Sequence, residues 1–116
     1  MMPGLSIHVV DITRGVPASG MRVEVYRLDP VRTRIADGRL ATSGALDHPI
    51  AADTLTPGGY EVIFHAGDFF AAAGVPQASP PFLADVPFRF TIADSAQHYH
   101  LPMKIGPWGF SLYRGS

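Results

Sequence analysis

The chain has 116 residues, of which 47% are apolar and 16% charged, with a formal charge of −1 and no cysteine. A chain of this size and composition can build a core of its own, which argues against disorder, and the lack of thiols excludes disulfides and thiolate chemistry. Five arginines (Arg22, Arg27, Arg32, Arg34, Arg39) lie close together, but Glu24, Asp29 and Asp37 interrupt them, so a solvated strand face is expected rather than a nucleic-acid surface. No basic segment followed by an apolar run marks a signal peptide, and no apolar stretch approaches a membrane span. A soluble, cytoplasmic protein without a membrane partner is the expectation.

Strand signals dominate in chain order. The β-branched run LSIHVVDI (5–12) ends at the turn-rich TRGVPASG. MRVEVYRL (21–28) alternates, with Met21, Val23 and Val25 on one side and Arg22, Glu24 and Tyr26 on the other. YEVIFHA (60–66) follows Gly58-Gly59, and one short helix is expected next, capped by Asp68, spanning Phe69 to Ala73 and ended by Gly74 and Pro76. VPFRFTI (86–92) sets Phe88, Phe90 and Ile92 apart from Arg89 and Thr91. HYHLPMKI and FSLYRG form the last strands, around a Gly106-Pro107-Trp108-Gly109 turn. Many short strands at turn-spaced intervals, without a repeat or a domain boundary, predict an all-β antiparallel sandwich as a single domain over 1–116.

Side chains two apart on a strand share a face, so His98 and His100 project together, with Tyr99 opposite. Such a pair can ligate a metal, move protons near neutral pH, or simply be exposed. A zinc site would need a third ligand such as His8, and nothing else clusters with metal-ligand spacing. His48 and His65 read as structural.

SIHVVDITRGVPASGMRVEVYRL, GGYEVIFHAGDFF, HYHLP and the final YRGS occur in the order found in the transthyretin-like 5-hydroxyisourate hydrolases, which the whole chain resembles. The resemblance implies a sandwich of two antiparallel four-stranded sheets with one short helix, and a homotetramer with active sites at the dimer–dimer interface. It implies hydrolysis of a ring amide in a small-molecule substrate, 5-hydroxyisourate, without metal or organic cofactor. By motif, His8 and His100 match the catalytic histidines, and Tyr113, Arg114, Gly115 and Ser116 match the C-terminal motif that folds into the site. Ser116 is thereby expected among the catalytic residues, and Tyr113 and Arg114 among those that bind substrate. Two imidazoles titrating near neutrality suit the activation of water, and Arg114 offers charge-assisted hydrogen bonds.

The resemblance breaks at one place. The family uses an arginine in an Asp-Gly-Arg motif just before an Ile-Asp-Ala-Pro-Leu-like stretch. Here Asp37-Gly38-Arg39 exists, but the matching stretch Leu46-Asp47-His48-Pro49-Ile50 begins seven residues after Arg39. Aligned on that stretch, the motif falls on Ser43-Gly44-Ala45, so Ala45 occupies the arginine's substrate-facing position. Gly106, Phe110 and Leu112 replace a serine, a tyrosine and a threonine of the family pattern, and Lys104 replaces a leucine. A site without that fork of donors, and with more apolar room, suits a substrate whose ring nitrogens carry methyl groups, as oxidised methylxanthines would supply. The alternative is a non-catalytic small-molecule carrier of the transthyretin type. A structural sandwich without a site leaves the ending unexplained.

Overall fold

The computed structural model describes residues 3–115. Two four-stranded sheets face each other. One has the order β2 (Val16–Pro17), β1 (Gly4–Asp11), β7 (His98–Gly106), β8 (Gly109–Leu112); the other has β4 (Thr33–Arg39), β3 (Arg22–Arg27), β5 (Gly58–Phe64), β6 (Val86–Ile92). Among the described residues there is one short α-helix, α1 (Ala66–Ala72), which follows β5.

Alternation decides which faces meet. Leu5, Ile7 and Val9 of β1 and Tyr99, Leu101, Met103 and Ile105 of β7 turn inward against Val23, Val25, Tyr60, Val62 and Phe64 of the second sheet. Strict period-two patterning of this kind is what burying one face of each sheet requires. Phe88 and Phe90 pack from the β6 edge, with the Phe90 ring 5.8 Å from that of Tyr60.

Three features differ from the sequence reading. The ladder between β1 and β7 is parallel, so the first sheet is mixed rather than wholly antiparallel. Apolar alternation does not encode strand direction. The chain builds the whole second sheet between these two strands and returns in the same sense as it left. The helix starts earlier than expected: His65 stands at its N-cap position without a capping side-chain bond, and Asp68 lies in its first turn instead of capping it. Carboxylates are still favourable there, against the positive end of the helix dipole. The arginine-rich stretch also supplies a complete strand, β4, antiparallel to β3.

The outer face of the second sheet is charged but organised. Glu24, only 8% exposed, accepts from Tyr26 Oη at 2.7 Å and Arg34 Nη1 at 3.1 Å, and its other oxygen contacts His65 Nε2 at 2.7 Å. The Tyr26 hydroxyl above all, then His65, Arg34 and Arg22, lower its pKa from 4.5 to about 2. A depressed carboxyl pKa stabilises the fold above the unfolded value and loses that contribution as pH falls through the folded one. Acid unfolding should therefore steepen as pH drops from about 4.5 towards 2. Glu24→Gln should cost about 2 kcal/mol at neutral pH and flatten that dependence, as followed by circular dichroism melts.

Candidate active site

The outer face of the first sheet carries the histidines. Period-two alternation turns Ser6 and His8 of β1, and His98 and His100 of β7, away from the core. The parallel register sets Ser6 beside His100 and Gly4 beside His98. Ser6 Oγ consequently lies 2.7 Å from His98 Nε2 and 2.7 Å from His100 Nδ1. His8 Nε2 lies 2.8 Å from the Ser43 carbonyl oxygen. A carbonyl only accepts, so the ring donates there and, when neutral, keeps its lone pair on Nδ1.

Burial first, then the nearby His98 and His8, holds His100 below the ordinary imidazole pKa. A half-buried ring among other imidazoles is costly to charge, so it stays neutral and able to accept a proton at neutral pH.

The 41–46 turn reaches this face by backbone pairing with β1. Val9 N–H donates to the Gly44 carbonyl at 3.0 Å, Leu46 N–H donates to the Ile7 carbonyl at 3.0 Å, and Ala45 bridges His8. Gly44 makes the approach possible: its φ is +85°, and a Cβ there would stand 2.6 Å from the Val9 oxygen. Ala45 is thus set beside His8. Arg39, by contrast, ends β4 in the other sheet and donates from Nη1 to the Gly20 carbonyl at 3.1 Å. Asp37 of the same tripeptide is held by Arg22, whose Nε and Nη2 donate to its two oxygens at 3.0 and 3.1 Å.

The C-terminal segment lies against the second histidine. Gly115 N–H donates to the His100 carbonyl at 2.7 Å, and a Cβ on Gly115 would come within 2.9 Å of His100 Cδ2. Only glycine allows so close a pass. Arg114 lies with its guanidinium carbon 3.9 Å from the Tyr99 ring centre, and its Nη2 donates to Gln97 Oε1 at 3.0 Å and the His98 carbonyl at 3.3 Å. In this arrangement it anchors the segment to β7. Tyr113 is exposed. Ser116 lies outside the described residues. Lys104 is exposed on the same outer face, in register with Val10 and Ser111.

His8, Ala45, His100 and Gly115 therefore come together, while Arg39 stays in the other sheet. Ser6 was missed from the sequence. Its signal was the same two-residue spacing that links His98 to His100: Ser6 and His8 must share a face on β1. A separate groove, about 670 Å³, is lined by Arg14, Arg22, Arg39, His65, Asp68 and Phe69, but Arg14 and Arg22 are there paired with Asp11 and Asp37. The cluster of Ser6, His8, His98 and His100 lies on the other sheet, away from this groove.

A sandwich with this strand order and a C-terminal segment laid along its first sheet is a transthyretin-like architecture. The profile of the HIUase/Transthyretin family matches residues 5–115, and the chain belongs to that family. It is 43% identical to 5-hydroxyisourate hydrolase 2 of Rhizobium meliloti over 114 residues, 97% of this chain and 95% of that protein. It is also 43% identical to 5-hydroxyisourate hydrolase of Deinococcus radiodurans over 116 residues, 98% and 97% of the two chains. The structure of Klebsiella pneumoniae 5-hydroxyisourate hydrolase superposes with a TM-score of 0.82 at 32% identity, covering 99% of this chain and 100% of that one. A crystal structure of (S)-allantoin synthase superposes with a TM-score of 0.91 at 36% identity, covering 97% of this chain but only 43% of that one. Together with the histidine face, these relatives make the chain a hydrolase.

Proposed function

We propose that the protein opens the ring amide of a 5-hydroxyisourate in purine breakdown, and that its preferred substrate carries methyl groups on ring nitrogens. The observation that carries the reading is the placement of Ala45 in a bridge with His8, on the face that also holds His100. Hydrolysis of 5-hydroxyisourate is the activity named for the relatives in Rhizobium meliloti and Deinococcus radiodurans. Methylxanthine degradation is the source that would supply the methylated substrate. The contact between Arg39 and the Gly20 carbonyl supports treating Ala45, rather than Arg39, as the counterpart of the family arginine.

The chemistry follows from two imidazoles on one face, with His100 kept neutral by burial and by its neighbours. A water held between His8 and His100 gives a proton to His100 as its oxygen adds to the ring carbonyl carbon, producing a tetrahedral oxyanion. Collapse breaks the carbon–nitrogen bond. The departing nitrogen takes the proton back from the imidazolium. The carboxylic acid left behind, which still carries the second proton of the water, gives it to solvent to become a carboxylate. By the family motif, Tyr113 would bind substrate and Ser116 would take part in catalysis, while Arg114 holds the described part of the segment against β7. In a homotetramer this face would lie at the dimer–dimer interface, closing the pocket against bulk water. A carrier would have no use for a His100 kept readily neutral.

The test generates 5-hydroxyisourate and its trimethylated analogue in situ and follows the loss of each above spontaneous decay. Faster turnover of the methylated compound is expected; rapid turnover of the plain compound with rejection of every methylated one would overturn the specificity reading. The pH profile carries a further expectation. Because the His100 pKa is lowered from 6.5, the ring stays neutral below that pH, so kcat/KM should hold its plateau past 6.5 and fall only at lower pH. An acid limb centred above 6.5 would count against His100 as the base.

A further inference from the structure

The structure assigns Ser6 and His98 as positioning residues that hold His100 in the tautomer with its lone pair on Nε2. The assignment rests on the proposed hydrolysis for its consequence, but on geometry for its content. It starts at a backbone carbonyl, that of Pro3, whose oxygen lies 3.3 Å from His98 Nδ1. A carbonyl oxygen only accepts, so His98 donates from Nδ1. In a neutral ring the other nitrogen is then bare, and His98 Nε2 accepts from the Ser6 hydroxyl at 2.7 Å. A hydroxyl has one hydrogen. Having given it to His98, Ser6 Oγ can only accept from His100 Nδ1, at 2.7 Å. The neutral His100 ring therefore carries its proton on Nδ1 and its lone pair on Nε2.

The reverse direction is worse at each end. If Ser6 donated to His100, the His100 lone pair would be spent on the serine and Nε2 would become a donor. His98 would then need a proton on Nε2. When neutral it would turn a bare Nδ1 towards the Pro3 carbonyl, setting two lone pairs against each other. When cationic it would place a charge beside His100 on the half-buried face. The forward chain satisfies every group with neutral rings.

Its use lies in the proton-transfer step. A general base needs a lone pair aimed at the water, and which ring nitrogen carries it is set by the hydrogen bond the other makes. An unconstrained histidine side chain in water favours the proton on Nε2, the wrong tautomer for this task. Once His100 has taken the proton from water, Nδ1–H still donates to Ser6, so the relay also steadies the imidazolium. Gly115 leaves the side of the ring next to Nε2 open, since a Cβ there would come within 2.9 Å of His100 Cδ2.

The decisive experiment is long-range proton–nitrogen NMR on protein labelled in its histidine rings, recorded above the His100 titration. The wild-type protein should show His98 and His100 both with the proton on Nδ1. Ser6→Ala should move the His100 proton to Nε2 and lower kcat by about tenfold to a hundredfold with KM within about twofold. Ser6→Thr, which keeps the hydroxyl, should restore both the tautomer and most of the rate. His98→Phe should reproduce the Ser6→Ala tautomer change from the other end of the chain, and serves where Ser6→Ala does not fold. A wild-type His100 with its proton on Nε2, or a folded Ser6→Ala with wild-type kcat, would overturn the assignment. The NMR measurement needs no substrate. A failure of both 5-hydroxyisourates to turn over would strike the proposed function and leave the tautomer to be decided separately.

Discussion

Replacing His100 with Asn is expected to lower kcat on the order of a thousandfold while leaving the melting temperature within a few degrees of the parent, because general-base catalysis typically contributes 10² to 10⁴. The small stability change follows from where the ring sits. His100 projects from the outer face of β7, while Tyr99 and Leu101 on either side of it face the core, so shortening the side chain opens no interior cavity. Asn can keep a donor near Ser6 Oγ, and the main-chain bond from Gly115 N–H to the His100 carbonyl does not involve the side chain. What Asn lacks is a nitrogen lone pair that can accept a proton. On the proposed site the loss should fall on kcat rather than KM, since the 41–46 turn and Tyr113, the groups proposed to bind substrate, are unchanged. Combining His100→Asn with His8→Asn should cost little more than the first substitution alone, because two groups that hold one water act as a unit. A His100→Asn protein that keeps a tenth or more of the parent rate would move the base elsewhere, and His8, with its lone pair on Nδ1, would be the next candidate.

The sequence exposed different parts of this arrangement unequally, for physical reasons that particular residues show. Alternation in HYHLPMKI set His98 and His100 on one face of their strand with Tyr99 on the other, because side chains in a strand repeat every second residue. It left open which of those faces the core would take, and His8 was singled out by motif rather than by alternation. It did not reveal that β1 and β7 are neighbours in parallel, since direction and pairing are set by long-range packing, and so it could not bring Ser6 between His98 and His100. Ser6 alone is an ordinary strand serine. The Glu24 cluster was hidden for a similar reason: alternation put Glu24 outward with Arg22 and Tyr26, yet it is buried because β4 brings Arg34 across and the helix start brings His65. The reading of Asp68 as the helix cap failed because His65 is drawn to Glu24 and Asp85, which fixes the start of α1 three residues earlier than a local capping rule suggests. At the 41–46 turn, spacing and motif matching point to different segments, and the fold keeps those segments apart. Asp37-Gly38-Arg39 has the right letters but belongs to an edge strand, whereas Ser43-Gly44-Ala45 carries the positive φ at Gly44 and the bridge to His8.

Ala45→Arg should reverse the substrate preference. Ala45 is bridged to His8, so a longer side chain there would start from the edge of the histidine face. A guanidinium brings five donors in a planar fork that matches ring carbonyls and unsubstituted ring edges, and it fills space that methyl groups would otherwise occupy. For plain 5-hydroxyisourate the new donors should be satisfied by the substrate. For the trimethylated analogue they would meet methyl groups and remain unpaired wherever the bound substrate excludes water. Leaving buried donors unpaired discriminates far more strongly than removing a methylene's worth of contact, which is worth about 10- to 200-fold. The ratio of kcat/KM for the methylated over the plain compound should therefore fall by about a hundredfold or more. Arg39→Ala supplies the control, because Arg39 bonds the Gly20 carbonyl in the other sheet and its loss should leave that ratio within about twofold. If Arg39→Ala instead abolished turnover while Ala45→Arg changed nothing, the arginine of Asp37-Gly38-Arg39 would be the one that reaches substrate, and the reading of the 41–46 turn would be wrong. If Ala45→Arg raised turnover of both compounds equally, the residue would contribute oxyanion stabilisation common to both transition states, and the preference for methylated rings would have to come from Gly106, Phe110 or Leu112 along β7 and β8.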